Sequence, residues 1–86
     1  MLAAINTVLK HDGHEYHVNC EDLGDAEGCI VIRILDKGGI LWEKRFPHPE
    51  AVTAAEGKRE AEQALRSQMA KTVQTVEAAI AKGRLP

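Results

Sequence analysis

The stretch CIVIRILDKGGILWEKRF, residues 29–46, decides the fold class of this chain. Apolar residues alternate with charged ones on both sides of Lys37-Gly38-Gly39, a pattern that predicts two β-strands joined by a glycine turn. The stretch also holds the only Trp, the only Phe and four of the isoleucines. We therefore expect this hairpin to be the element around which the rest of the chain folds.

The register of this hairpin follows from side-chain charge. A three-residue loop, Lys37-Gly38-Gly39, ends with glycine at a positive φ. It pairs Ile30 with Phe46, Val31 with Arg45, Ile32 with Lys44, Arg33 with Glu43, Ile34 with Trp42 and Leu35 with Leu41. A two-residue Gly38-Gly39 loop would instead place Arg33 opposite Lys44, and like charges across a strand pair are unfavourable. The comparison favours the three-residue loop.

A second hairpin is predicted by Asp12-Gly13, which suits a type I′ turn. The strand before it is expected over residues 3–10. Folding about the turn pairs Ile5 with Cys20, Thr7 with Val18, Leu9 with Tyr16, Val8 with His17 and Lys10 with Glu15. If strands two and three are neighbours, keeping all apolar residues on one face sets Tyr16 against Ile34, Val18 against Ile32 and Cys20 against Ile30. Cys29 then faces away from Cys20, which argues against a disulfide between them.

The last third of the chain predicts one long helix over residues 53–82. Thr53 and Glu56 have the spacing of a capping box, and Gly83 supplies a C-terminal stop. An earlier start at Pro49 is the alternative, and Gly57 is a point where the helix can break. One apolar stripe follows helical spacing, formed by Leu65, Met69, Val73, Val76 and Ile80. A helix over 53–82 would be about 45 Å long, whereas the strands would be about 25 Å long. One end of the helix would therefore extend beyond the sheet as an overhang.

The predicted architecture is a single α+β domain over residues 1–86. Residues 1–46 form a four-stranded antiparallel sheet of two hairpins, 47–52 a linker and 53–82 the helix packed on one face. The predicted sheet side of the core comprises Ile5, Leu9, Tyr16, Val18, Ile30, Ile32, Ile34, Trp42 and Phe46.

Composition excludes several classes of protein. With 11 basic and 13 acidic residues, the chain lacks the excess of positive charge that is typical of nucleic-acid-binding proteins. The sequence has no apolar run of about 18 residues and no recognisable signal peptide, so we expect a cytoplasmic protein without a membrane span. With aromatic residues at only 3%, the core is mostly aliphatic and modest, which favours oligomerisation as a further source of burial.

Candidate catalytic and metal-binding residues do not assemble into a known pattern. His11, His14, His17 and His48 lack the spacing of a zinc site, and we interpret the histidines of the hairpin as solvent-exposed. Cys20 is interpreted as a small buried hydrophobic residue rather than a nucleophile. We therefore expect no enzymatic activity, no cofactor and no metal.

The outer face of the sheet points to a protein interface. It carries more aliphatic side chains than a solvated face needs. The sequence predicts a homodimer, and another protein partner is the alternative. The predicted contact residues are Val8, Val31, Leu35, Leu41, Leu65, Met69 and Val73. A second hypothesis is a nucleic-acid-binding or regulatory domain using Lys10, Arg33 and Arg45. The absence of aromatic stacking residues on that face argues against it.

The run HDGHEYHV at residues 11–18, followed by EDLG at 21–24, resembles the opening motif of a family of small uncharacterised bacterial proteins. In that family a similar segment precedes a glycine-turn hairpin and a helix. This chain departs from the pattern at Asn19-Cys20, where a polar residue and threonine are expected. The resemblance covers about the first half of the chain and carries no known activity, so it transfers no site residue.

Overall fold

The computed structural model describes residues 4–24 and 26–84 of the chain. Its elements are β1 (Ala4–His11), β2 (His14–Asp22), β3 (Cys29–Asp36), β4 (Gly39–Pro47), α1 (Glu50–Thr53) and α2 (Lys58–Ala81). The strands form one antiparallel sheet in the order β1-β2-β3-β4, and α2 packs against one face. The predicted fold class is therefore confirmed. Residue 3, the predicted start of the first strand, lies outside the described residues.

The first hairpin has the predicted turn and register. Asp12 and Gly13 both have positive φ, 50° and 80°, as a type I′ turn requires. The pairing of β1 with β2 runs from Ala4 opposite Glu21 to His11 opposite His14, and it includes every predicted pair. Turn chemistry and side-chain alternation were sufficient to predict this hairpin.

The second hairpin differs from the prediction at its turn. Lys37 and Gly38 have φ of 52° and 81°, so the loop has two residues in the type I′ conformation rather than three. Leu35 pairs with Ile40 instead of Leu41, and a β-bulge lies beside this pair. Leu41 is the extra residue of this bulge. Beyond it, starting with Ile34 opposite Trp42, the two strands pair in the predicted register. The predicted Arg33–Glu43 pair therefore forms although the predicted loop does not.

The register between β2 and β3 is displaced by two residues from the prediction. Val18 lies opposite Ile34 rather than Ile32, and Cys20 lies opposite Ile32 rather than Ile30. A two-residue shift leaves every side chain on its predicted face, because side chains alternate with a period of two. Apolar alternation therefore could not distinguish the two registers. The observed one sets Arg33 opposite Asn19.

The predicted single helix over 53–82 is wrong at its start. A one-turn helix, α1, ends at Thr53, whose Oγ1 donates to the carbonyl of Glu50 at 3.2 Å instead of capping a following helix. Gly57, with an extended backbone, is the N-cap residue of α2. Residues 47–52 are not a plain linker, since Pro47 ends β4 and Glu50 begins α1. The 24 residues of α2 span about 36 Å, so about half of the predicted overhang disappears.

The core lies between α2 and the inner face of the sheet. All five residues of the helical stripe, from Leu65 to Ile80, are buried. Every predicted sheet residue belongs to this core or packs against it, and Cys20 and Val52 join them. Val52 comes from α1, so that short helix is anchored to the core before the chain turns into α2.

Candidate interaction face

An apolar row crosses the outer face of the sheet, on the side away from α2. Strand pairing places Val8 beside His17, His17 beside Leu35 and Leu35 beside Ile40, one residue from each strand. Leu41 adjoins the row at the bulge. We call Val8, Leu35, Ile40 and Leu41 the apolar row. Val8, Ile40 and Leu41 expose 54%, 58% and 51% of their surface, and Leu35 is partly buried.

A polar row lies next to the apolar row and also spans the four strands. It consists of Asn6, Asn19, Arg33 and Glu43. Asn19 Nδ2 donates to Asn6 Oδ1 at 2.5 Å, and Arg33 Nη1 donates to Asn19 Oδ1 at 3.2 Å. Arg33 Nε donates to Glu43 Oε2 at 2.6 Å, so the row is joined from β1 to β4.

Arg33 is the centre of this network. Besides Glu43 it contacts Glu21, with 2.8 Å between Arg33 Nη1 and Glu21 Oε1. Hydrogen bonds to these two carboxylates raise the pKa of the Arg33 guanidinium above its ordinary value. The charge of Arg33 is therefore fixed and compensated within the chain.

The predicted interface residues separate into two groups. Val8, Leu35 and Leu41 lie in the apolar row, where a partner can reach them. Val31 also belongs to the outer face by strand alternation, but none of its surface is exposed. Leu65, Met69 and Val73 lie on the buried face of α2 in the chain's own core, so they offer almost no surface to a partner.

Ile40 is the member of the row that the sequence did not identify. The predicted three-residue loop included Gly39 and paired Leu35 with Leu41, which set Ile40 opposite Asp36 and on the other face of the sheet from Leu41. The signal that could have found it is Lys37-Gly38, since a two-residue type I′ turn at this position places Ile40 opposite Leu35.

The residues predicted for nucleic-acid binding do not form one basic patch. Lys10, Arg33 and Arg45 occupy three different cross-strand rows, opposite Glu15, Glu43 and Val31 respectively. Arg33 is neutralised by its two carboxylate partners. The sheet therefore presents separated single cations rather than a continuous path for a phosphate backbone.

The histidines of the first hairpin do not converge on a common point. His11 and His14 are cross-strand partners, but His14 Nδ1 lies 3.0 Å from Asp36 Oδ2. His17 contacts Glu15 at 3.6 Å on the other face. Within residues 4–24 and 26–84, no three His, Cys, Asp or Glu side chains lie close enough together to hold a metal ion.

The side chain of His48 is buried, which its place after the sheet did not predict. Its Nε2 lies 2.7 Å from Asp22 Oδ1, and the two side chains expose only 5% and 9% of their surface. The same carboxylate oxygen accepts the Gly24 backbone N–H at 3.1 Å, and the His48 N–H donates to the Gly28 carbonyl. This buried pair ties the end of β2 and the following loop to the segment after β4.

The fold and these surfaces define a small α+β protein with one antiparallel sheet, one covered face and one open face. Comparison with family models, curated proteins and solved structures finds no match to this chain. The resemblance of residues 11–24 to a bacterial opening motif therefore stays a prediction. In the part of the chain that the structure describes, no helix is long and apolar enough to cross a membrane.

Proposed function

We propose that this chain is a non-catalytic protein-interaction module that forms a homodimer through the apolar row. The observation that carries the proposal is a row across the four strands in which aliphatic side chains come from β1, β3 and β4, with His17 of β2 between Val8 and Leu35. Three of these aliphatic side chains are more than half exposed. Isolated surface aliphatics are common, whereas contiguous ones mark contact sites. On the other face of the sheet, α2 covers the inner side of β1, β2 and β3.

The geometry of the row suits a symmetric contact. A twofold axis running parallel to the strands would place Val8 of one copy against Ile40 and Leu41 of the other. The row is then complementary to itself, which a twofold dimer requires. Two sheets packed in this way would interleave their aliphatic side chains as sandwich proteins do.

The polar row is suited to lie at the edge of the same contact. A stable interface buries about 800 Å² on each partner, which is more than four aliphatic side chains supply. The contact must therefore extend over neighbouring residues. Asn19, Arg33 and Glu43 already have hydrogen-bond partners within one chain. Because desolvating an ion pair is costly, these groups belong at the rim of the contact, where they keep part of their contact with water.

A non-catalytic role is supported by the protonation of the Cys20 thiol, the most nucleophilic kind of side chain in the core. Burial, and secondarily the Glu21 carboxylate, raises the pKa of the Cys20 thiol to about 11. Cys20 has no exposed surface. Its thiol is therefore protonated at neutral pH and contributes to packing rather than to covalent chemistry.

The proposal is tested by the mass in solution, measured by size-exclusion chromatography with light scattering over a range of concentrations. We expect the wild-type chain to approach twice its 9.4 kDa mass as concentration rises. Ile40→Glu with Leu41→Glu should raise the dimer dissociation constant at least about ten-fold, since each buried aliphatic side chain contributes about 1.5–3 kcal/mol.

The matched control is Ala70→Glu, which places a charge on the exposed side of α2. It should dimerise like the wild type, and all variants should keep the same circular dichroism spectrum. A wild-type chain that stays monomeric at every concentration would refute the proposal. So would a dimer that survives both substitutions in the apolar row.

A further inference from the structure

A groove lies between β4 and α2 on the inner side of the sheet. The helix packs close to β1, β2 and β3 but not to β4, so the inner face of the last strand is only partly covered. Trp42, Lys44 and Phe46 form its floor, and the helix supplies the opposite wall. The groove has a volume of about 340 Å³. This lies near the lower end of the range of roughly 300–1,000 Å³ for small-molecule sites.

The helical wall of the groove is more apolar than its sequence suggests. Val76 and Ala79 contribute aliphatic surface, and Gln68 contributes a neutral amide side chain. Thr72 and Thr75 also line the groove, but their hydroxyl groups donate to the carbonyls of residues 68 and 71 in the preceding helical turn, at 2.8 and 2.9 Å. Because these hydroxyl groups already donate hydrogen bonds within the helix, they keep those bonds when an apolar chain fills the groove.

Lys44 is the one basic residue of the floor. It lies on the core-facing side of β4, in a cross-strand row with Ile32 and Cys20. Its ammonium group lies 5.0 Å from the centre of the Phe46 ring. Within the described residues no carboxylate lies within 4.0 Å of it. The groove therefore combines aromatic and aliphatic walls with a single uncompensated positive charge.

We propose that this groove binds a free aliphatic carboxylate of medium chain length. The alkyl tail would lie between the two aromatic rings of β4 and the Val76–Ala79 surface of α2. The carboxylate would pair with the ammonium group of Lys44. Charge complementarity selects an anionic head group, and the small volume favours one alkyl chain over the helix or strand of a protein partner.

The test uses decanoate as the probe and Trp42 as the reporter, because Trp42 is the only tryptophan and lies in the groove. Decanoate is titrated below its micelle-forming concentration, and decyltrimethylammonium, with the same tail and the opposite charge, is titrated in parallel. We expect a saturable change in Trp42 fluorescence and a preference for decanoate of about two- to five-fold, as an exposed ion pair provides.

Two variants separate the head-group contact from the tail contact. Lys44→Met keeps an unbranched apolar stem and should abolish the preference for decanoate while the tail still binds. Ala79→Leu fills the groove and should weaken both probes. Lys71→Met, on the exposed side of α2, is the matched control and should leave both affinities unchanged.

The proposal is overturned by equal affinities for the two probes, or by an unchanged preference in Lys44→Met. It is also overturned if decanoate causes no saturable change. A fluorescence change that depends on protein concentration alone would identify a second copy of the chain as the occupant instead. Circular dichroism of each variant confirms that the compared proteins are folded.

Discussion

Cys20 illustrates how position decides the chemistry of a residue. Its side chain lies on the inner face of β2 between Ile5 and Ile32, with no surface exposed to solvent. Burial disfavours the thiolate, and the pKa of the thiol rises to about 11. Cys20 and the partly exposed Cys29 are both free, which confirms the expectation that they form no disulfide.

The raised pKa of Cys20 predicts a loss of stability at high pH. The unfolded thiol titrates near 9.0 and the folded one near 11, so between these values the folded state binds more protons. Stability is then complete below about pH 9 and falls as pH rises toward 11, by about 2–3 kcal/mol from this group. The measurement is the free energy of urea unfolding between pH 8 and 11.

The control for this prediction is Cys20→Ala, since other groups also titrate in the same pH range. The variant should start less stable because it leaves a small cavity, but its stability should fall less steeply with pH. Parallel curves for the variant and the wild type would show that the thiol does not titrate differently in the folded state.

At the scale of the elements, the two hairpins show what local chemistry specifies. Asp12-Gly13 determines both the turn and the register of the first hairpin. In the second, Lys37-Gly38 forms the turn and a bulge beside Leu35 absorbs the odd residue. Charge pairing correctly predicted Arg33 opposite Glu43, because that pair depends on the register beyond the bulge and not on the loop.

The pairing of β2 with β3 depends on contacts between elements. Six residues separate the end of β2 from the start of β3, so no two-residue turn fixes their register, and apolar alternation accepts any two-residue shift. In the observed register Asp22 reaches His48 after β4, and Arg33 reaches Glu21. Both contacts join residues far apart in the sequence, so local patterns contain no signal for them.

We predict that the buried Asp22–His48 pair stabilises this arrangement. Asp22→Ala should lower the free energy of unfolding by about 1–3 kcal/mol, because it leaves His48 buried without its partner and removes the acceptor for Gly24. Asp22→Asn keeps an acceptor oxygen and should cost less. The measurement is urea unfolding followed by circular dichroism.

Glu15→Ala is the matched control for the Asp22 substitutions. It removes an exposed carboxylate that lies 3.6 Å from His17, and we expect a change within about 0.5 kcal/mol. If Asp22→Ala and Glu15→Ala lose the same amount of stability, the buried pair has no special structural role.

At the scale of the whole molecule, the two proposed surfaces lie on opposite faces of the sheet. The apolar row faces away from α2, whereas the groove lies between β4 and α2. Neither surface shares a side chain with the other. Self-association and carboxylate binding are therefore expected to be independent properties.

This independence is a testable prediction. The variant with Ile40→Glu and Leu41→Glu should bind decanoate with an affinity within about two-fold of the wild type. Lys44→Met should retain the wild-type tendency to dimerise. Loss of decanoate binding in the double variant would instead mean that the groove needs the dimer, and light scattering with and without decanoate would show that coupling directly.

Sequence alone determined the elements of this protein whose signals are local. Side-chain alternation predicted the four strands and the inner face, helical spacing predicted the stripe from Leu65 to Ile80, and Asp12-Gly13 predicted a turn. Tertiary structure decided the β2–β3 register, the break before Lys58 and the burial of His48. It also decided which aliphatic residues remain exposed. These features depend on contacts between distant segments of the chain. A hydrophobic pattern with a period of two or 3.6 residues describes only local structure and does not encode such contacts.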